Sequence, residues 1–386
     1  MRKNPIYTHI HKISQHERIP MSGSTLGKNI TISTWGESHG EALGVVVDGF
    51  PAGLELSKED IQKFLDRRKP GTSSATTSRK EDDEVHILSG IFEGKTTGTP
   101  ISMMVKNTSQ RSGDYSEIAS YYRPGHADYC FDEKYGFRDY RGGGRSSGRE
   151  TIGRVAAGAL CQKLLNEMGI DVFAYTRSIG EVEINDNNFN RETIYTTPTS
   201  MPDADADKKA MDLIMKCRKN MDSVGGVIEC RIKGVPAGIG EPVFDKLDAL
   251  LARAVMSIGA VKAVEIGCGT KAARLYGSEN NDEFIIENNE ISKKTNNAGG
   301  ILGGMSDGSE IILRAYVKPT PSIARDQSTV NKSGENININ IKGRHDPVVV
   351  PRAVVVVEAM CAFTLLDLLI SNISSRASNI INFYKK

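Results

Sequence analysis

The sequence predicts an α+β fold in which antiparallel sheets are covered by helices. Residues 29–34 alternate between apolar and polar side chains, as a half-buried strand does, and residues 43–48 form a second short strand. Residues 151–168 and 353–372 carry the long apolar stretches that are typical of buried helices. Because short strands follow one another in antiparallel pairs instead of alternating with helices, α+β is favoured over a doubly wound parallel sheet.

The second half of the chain repeats the first in outline. Residues 227–238 echo the strand and the Pro-Ala-Gly turn of residues 45–53, and a helix follows in both places. We therefore expect an internal pseudo-repeat with halves at about 27–170 and 222–370, within a single domain of residues 21–386. The alternative is chance recurrence of a Pro-Gly turn.

Composition narrows the class of protein. The 386 residues suffice for a large core, and 49 basic residues against 48 acidic ones leave a net charge of +1. Such a balance predicts no nucleic-acid partner and no membrane partner, and no stretch approaches 18 consecutive apolar residues. Six cysteines without a Cys-x-x-Cys spacing are typical of reduced thiols, so we expect a cytoplasmic protein. Residues 1–20 are basic, lack a signal-peptide pattern, and are expected to form a flexible extension.

The stretch from Arg138 to Glu150 is the strongest candidate for an anion-binding loop. It holds four arginines and four glycines, so guanidinium groups and closely approaching backbone are available together. The helix predicted from residue 151 would add its N-terminal amides and the positive end of its dipole. The alternative is a flexible RGG-type loop in an RNA-binding protein.

Three histidines differ in their surroundings. His39 lies in a glycine-flanked turn after the first strand, and His126 follows a Pro-Gly turn next to Arg123, which suggests a proton donor. Residues 85–94 and 99–107 are predicted to form two hairpin strands; His86 lies inside the first, and we expect a structural role for it.

Clusters of basic and acidic residues supply the remaining candidate site residues. Residues 57–60 form a capping signal for a helix. Arg68 belongs to the basic end of that helix, which either holds anions or simply complements the helix dipole. His345 and Asp346 are adjacent and follow a strand, which favours acid–base or hydrogen-bonding roles over metal binding. The alternating aspartates from Asp203 lack the glycine and glutamate of a calcium loop and are interpreted as the start of a helix, so no metal is expected.

Taken together, six segments resemble the chorismate synthase family, in the right order and from about Gly23 to about Leu369. The segments are Trp35–Gly40, Asp66–Gly71, Arg123–Asp128, Arg138–Glu150, Gly299–Gly304 and Gly343–Pro347. The resemblance implies a β-α-β sandwich with an internal pseudo-repeat, assembled as a homotetramer.

The resemblance also implies an activity and a cofactor. The expected reaction is an anti-1,4-elimination of phosphate from 5-enolpyruvylshikimate 3-phosphate that gives chorismate, the final common step of the shikimate pathway, by a carbon–oxygen lyase. It requires reduced FMN without net redox change. A substrate with one phosphate and two carboxylates, and a flavin with its own phosphate, would account for the arginines in the matching segments.

The same resemblance assigns roles to individual residues. His39 corresponds to the acid for the leaving phosphate, His126 to the proton partner of the reduced flavin, and Asp346 to an aspartate near the flavin N5. The substrate-binding positions are Arg68, Arg123 and Arg149. The FMN-binding positions are Arg145, Ser146, Ser147, Ala260, Gly303, Lys318, Pro319, Thr320, Pro321, Ser322 and Arg344, the last of which matches a clamp for substrate or flavin.

Three positions depart from the family pattern. Ser74 replaces an arginine, Gly259 stands where asparagine is common, and Pro321 stands where serine is common. No nicotinamide-binding fingerprint is visible, so an external flavin reductase is favoured over reduction of FMN by NAD(P)H on this protein. Two rival functions remain, an RNA-binding protein and a phosphotransferase without a P-loop.

Overall fold

The computed structural model describes residues 23–71, 81–108, 117–341 and 346–385. The helices are α1 Lys58–Arg68, α2 Asp128–Tyr135, α3 Thr151–Glu167, α4 Ala204–Lys219, α5 Leu247–Met256, α6 Gly277–Asn280, α7 Val350–Asn372 and α8 Ala377–Tyr384. The strands are β1 Thr25–Gly27, β2 Thr31–Gly36, β3 Ala42–Asp48, β4 Val85–Ile87, β5 Ile91–Phe92, β6 Lys95–Thr96, β7 Ile101–Lys106, β8 Asp171–Ile179, β9 Val182–Glu183, β10 Gly226–Lys233, β11 Val261–Ile266, β12 Phe284–Glu287, β13 Glu290–Lys293, β14 Ile301–Leu302, β15 Met305–Ser306, β16 Ile311–Val317, β17 Asp326–Val330 and β18 Asn336–Asn340.

Two five-stranded antiparallel sheets have corresponding strand orders, β1-β2-β3-β7-β4 and β9-β8-β10-β16-β11. They differ at one edge, where β1 precedes β2 but β9 follows β8. Between β3 and β7 the chain forms α1, the edge strand β4 and the hairpin β5–β6; between β10 and β16 it forms α5, the edge strand β11 and the hairpin β14–β15, with α6 and the hairpin β12–β13 as an addition. This equivalence confirms the predicted pseudo-repeat. The limits of the halves stay a prediction, and β8, which takes the place of β2, precedes the expected start at residue 222.

Helices fill the space between the two sheets. α3 packs against β2, β3 and β7 of the first sheet, α7 packs against β8 and β10 of the second, and the two helices pack on each other. The predicted β-α-β sandwich and its α+β class are confirmed. α7 is long and apolar enough to cross a membrane, but 89% of its most apolar window is buried inside the fold, as expected of a core helix.

Local sequence signals explain where α1, the helix that carries Arg68, begins and ends. Ser57 Oγ accepts the backbone N–H of Asp60, whose carboxylate accepts the N–H of Ser57 at 2.9 Å, so the predicted capping box starts α1. The helix ends at Arg68, two residues before Pro70. Asp203 caps α4 through the amides of the next turn, which confirms the interpretation of that acidic run.

One predicted strand is divided. Residues 85–94 were expected to be continuous, but β4 ends at Ile87, and Ile91–Phe92 turns back in a separate hairpin with Lys95–Thr96. Gly90 has a φ of +81°, and a side chain there would overlap Ile101, so the chain changes direction at this point. His86 lies in β4 opposite Met104, consistent with its structural interpretation.

Candidate active site

Arg68 and Arg149 meet across a shared carboxylate. Arg68 is 1% exposed; its Nη2 donates to Asp83 Oδ2 at 2.5 Å and its Nη1 to the carbonyl of Gly148 at 3.1 Å. Nη1 of Arg149 lies 3.2 Å from Asp83 Oδ1. Burial lowers the pKa of Arg68 to about 10, since the opposing effect of Asp83 is offset by the charges of Arg352 and Arg149. Arg68 therefore remains a cation at neutral pH.

Asn107 joins this arginine pair to the loop that carries His39. Its Oδ1 accepts from Arg149 Nε at 2.9 Å, and its Nδ2 donates to the carbonyls of Glu37 and Gly40 at 3.0 and 2.8 Å. The amide thus holds both ends of the turn in which His39 lies. Sequence reasoning missed Asn107, although a polar residue directly after the alternating strand β7 was a usable signal.

His39 is buried at the end of β2 and is covered by the arginine- and glycine-rich stretch. Its Nδ1 lies 3.1 Å from Ser38 Oγ. A Cβ at Gly142 would come within 2.6 Å of Cε1 of the imidazole, and Gly142 has a φ of +83°. Only glycine fits this position without displacing the histidine, which gives one of the glycines of residues 138–150 a specific purpose.

Arg123 lies behind the same glycine. Its Nη2 donates to the carbonyl of Gly142 at 3.0 Å, while its Nε and Nη2 bind the two carboxylate oxygens of Asp128 at 2.8 and 2.7 Å. Arg138 approaches Asp128 to 3.6 Å from another side. Arg123, the third predicted substrate-binding arginine, is therefore held next to Gly142, which packs on His39.

His126 meets the segment that follows β16. Its Nε2 lies 2.7 Å from Ser322 Oγ, and Lys318 Nζ donates to the carbonyl of Gly125 at 2.9 Å. Lys318 N–H also binds the carbonyl of Ala260 at 2.9 Å. Ala260 and residues 318–322 are thus brought together beside His126, although they are far apart in sequence.

Asp346 is linked to Arg68 through Arg352, a residue for which the sequence predicted no role. Arg352 Nη1 donates to Asp346 Oδ2 at 2.6 Å, and its Nε donates to the backbone carbonyl of Arg68 at 3.2 Å. Arg344 and Ser74 lie outside the described residues.

The guanidinium group of Arg145 donates hydrogen bonds to other residues of the protein. Its Nη1 donates to the carbonyl of Gly36 at 3.0 Å and its Nη2 to Thr34 Oγ1 at 2.7 Å. Ser146 Oγ donates to the carbonyl of Gly143 at 2.7 Å, and Ser147 Oγ accepts the N–H of residue 149. The segment therefore braces β2, and contact of Arg145, Ser146 and Ser147 with flavin stays a prediction.

Gly303 lies apart from the other predicted cofactor positions. The carbonyl of the adjacent Gly304 accepts the N–H of Leu247 at the start of α5, whereas Ala260 follows the end of that helix. Ten helical residues separate these points by about 15 Å. A single chain does not bring Gly303 to Lys318, so its role also stays a prediction.

A cavity of about 900 Å³ borders this region. Residues 142–146 and Ala127, next to His126, form part of its wall. The charged groups of the wall are mixed, since Arg138, Arg154 and Arg253 lie there together with Glu37, Asp128, Asp139 and Glu150. Its volume lies within the usual range of ligand pockets. The described residues contain no group of three or more side chains that could hold a metal ion.

Comparisons with known proteins identify the family. A sequence profile described as chorismate synthase matches residues 30–370. The chorismate synthase of Lachnoclostridium phytofermentans is 65% identical over 367 residues, covering 95% of this chain and all of the relative. That of Methanococcoides burtonii is 56% identical over 350 residues, covering 90% of this chain and 96% of the relative. A solved structure titled "Crystal Structure of Chorismate Synthase" superposes with a TM-score of 0.72 at 32% identity, over 90% of this chain and 94% of that one. The chain belongs to the chorismate synthase family of lyases.

Proposed function

We propose that the protein converts 5-enolpyruvylshikimate 3-phosphate to chorismate by an anti-1,4-elimination of phosphate that requires reduced FMN. The observation that carries this proposal is the continuous set of contacts from Asp346 through Arg68 and Arg149 to the His39 turn and Arg123. The substrate has one phosphate and two carboxylates, and planar guanidinium groups suit such anions.

Two guanidinium nitrogens are available for these anions. Arg68 Nε and Arg149 Nη2 are buried and have no hydrogen-bond partner within the described part of the chain. Buried donors are otherwise nearly always satisfied in proteins, so an unsatisfied pair on adjacent arginines favours a ligand that completes them. We assign both donors to the substrate.

The two histidines are assigned the proton transfers. An imidazole exchanges protons near neutral pH, and each ring is held by a hydroxyl, Ser38 for His39 and Ser322 for His126. We propose that His39 protonates the departing phosphate, because the Asn107 clamp fixes its turn beside the arginine pair. His126, beside residues 318–322, is assigned to the cofactor.

The residues around His126 fit a phosphate-bearing cofactor. Thr320 Oγ1 is buried and has no hydrogen-bond partner among the described residues, so a donor or acceptor on a ligand would complete it. Lys318 supplies a cation beside His126. Asp346, which Arg352 links to Arg68, is assigned to the flavin by the family resemblance alone. Reduced FMN would supply electron density to the breaking carbon–oxygen bond and regain it when the C6 hydrogen leaves.

We also propose an oligomeric state, a source of reduced FMN and a cellular compartment for the protein. A homotetramer is favoured by family membership, and a second copy would have to supply Gly303 if that residue contacts the flavin bound near Lys318. We further propose a cytoplasmic enzyme whose FMN is reduced by an external reductase, because the sequence shows no nicotinamide fingerprint.

The test is phosphate release under anaerobic conditions with dithionite-reduced FMN. We expect release and chorismate formation in step, and neither with oxidised FMN. Absence of phosphate release with the reduced cofactor would contradict the proposal. Flavin-independent RNA binding that strengthens steeply at low salt would favour the RNA-binding rival, and ATP turnover would favour the phosphotransferase.

A further inference from the structure

Two buried carboxylates already neutralise the arginines assigned to the substrate. The side chains of Glu81 and Asp83 are 1% and 0% exposed. Arg149 Nη1 lies 3.3 Å from Glu81 Oε2 and 3.2 Å from Asp83 Oδ1, and Asp83 Oδ2 accepts from Arg68 at 2.5 Å. Within ion-pair distance, the described part of the chain sets two carboxylates against two guanidinium groups.

The position of Asp83 is tightly determined. Its backbone has a φ of +46°, in the left-handed region that aspartate and asparagine tolerate better than most residues. Gln62 of α1 donates to the carbonyl of Asp83 at 3.3 Å and accepts the N–H of Val85 at 3.0 Å. Non-glycine residues held in this conformation concentrate at functional sites.

Asp83 is a carboxylate anion at neutral pH. Burial alone would raise its pKa, but the charges and hydrogen bonds of Arg68 and Arg149 outweigh burial and hold the pKa below its ordinary value. Each oxygen faces a different arginine, so one anion spans both cations.

We infer that Asp83 is a built-in counter-anion, a positioning residue that keeps Arg68 and Arg149 together in the free protein and weakens their hold on a bound anion. Its purpose would be to let phosphate leave after each turnover. The inference rests on the proposed function in assigning Arg68 and Arg149 to the substrate and in taking phosphate as the product that leaves.

The charge of Asp83 and the charge of a bound anion act on the same two guanidinium groups. With Asp83 present, an incoming anion gains the attraction of both guanidinium groups but meets a negative charge already between them. Without that charge, Glu81 alone opposes the two buried cations, and the excess positive charge destabilises the free protein. An anion that binds there then relieves the repulsion, so removal of the Asp83 charge should strengthen anion binding.

Asp83→Asn removes the charge while it keeps the size of the side chain and suits the left-handed backbone. The matched control is Asp82→Asn, the same change at the exposed neighbouring residue. Thermal unfolding of the full chain is measured against inorganic phosphate at constant ionic strength. We expect Asp83→Asn to unfold at a lower temperature without phosphate, and to bind phosphate at least about tenfold more tightly than wild type. Asp82→Asn should match wild type.

Unchanged or weaker phosphate binding by Asp83→Asn would overturn the inference, since it would leave Asp83 with an orienting role only. Should that variant not fold, Glu81→Gln is the second test, because it removes the other carboxylate facing Arg149 and should also tighten phosphate binding. The proposed function is judged separately by wild-type phosphate release, whereas the inference is judged by phosphate binding without turnover.

Discussion

Asp128 accepts three hydrogen bonds from Arg123, at 3.0 Å from the backbone N–H, 2.8 Å from Nε and 2.7 Å from Nη2. Both side chains are at least nine-tenths buried. Because Nη2 also binds the carbonyl of Gly142, which packs on His39, this ion pair sets the position of one wall of the site.

Asp128→Asn should therefore weaken substrate binding and stability together. We expect KM to rise about tenfold as Arg123 loses its fixed orientation, and the free energy of unfolding to fall by about 3 kcal/mol, as for other broken buried ion pairs. Steady-state kinetics and urea unfolding measure the two effects. Glu283→Gln, in the exposed pair with Lys294, is the control and should change neither. An unchanged KM would show that Arg123 does not contact substrate.

The stabilising effect of Asp128 should depend on pH. Burial would raise its pKa, but the hydrogen bonds and charge of Arg123, together with Arg138, hold the pKa below its ordinary value in the folded protein. The unfolded state, with a pKa of about 4, therefore takes up a proton first as pH falls. The stability due to this group is fully present well above pH 4, falls as pH drops through the unfolded-state pKa, and is lost below the folded-state pKa. The unfolding free-energy difference between wild type and Asp128→Asn should shrink between pH 5 and pH 3; a constant difference would contradict this.

Gly142→Ala should damage catalysis through His39. The added Cβ would lie 2.6 Å from the imidazole, and displacement of a catalytic group by about 1 Å can cost about 10²-fold in rate. Gly144→Ala is the matched control, because its φ is also positive, +50°, yet a Cβ there meets nothing within 4 Å. We expect kcat to fall about 10²-fold in the first variant and to change little in the second. Equal losses would attribute the effect to backbone strain instead.

His126→Ala should lower kcat by roughly 10²–10⁴-fold if the imidazole transfers a proton. Ser322→Ala removes only the hydroxyl at 2.7 Å from Nε2, so it should cause a smaller loss and shift the pH profile of kcat. His86→Ala, in β4, controls for loss of a histidine and should leave kcat near wild type. A near-wild-type rate for His126→Ala would return that residue to a structural role.

The sequence predicted those structural elements that are determined by neighbouring residues. The capping box of α1, the aspartate cap of α4 and the alternating strands β2 and β3 are set by neighbouring residues, and all were predicted. The pseudo-repeat was visible because both halves use the same turn. The split of residues 85–94 was missed, because β7 pairs with β4 but not with β5, and such a choice depends on partners distant in sequence.

The candidate site was only partly predictable. The matching segments indicated Arg68, Arg149 and His39 one by one, but their mutual arrangement depends on Asp83 and Asn107. Only Asn107 carries a local signal, its place directly after strand β7, and that signal does not reveal which residues it joins. For Arg145, the matching segment indicated a cofactor contact, but in the folded chain its guanidinium group donates to the backbone of β2.

By itself, the sequence determined the fold class, the family resemblance and which residue types could serve anions and proton transfer, because periodicity, turns and motif chemistry are local properties. Only the tertiary structure decided which guanidinium nitrogens remain unsatisfied, that a carboxylate lies between Arg68 and Arg149, and that Gly142 leaves room for His39. These features arise where segments distant in sequence are packed together, and burial then fixes which charges must be paired.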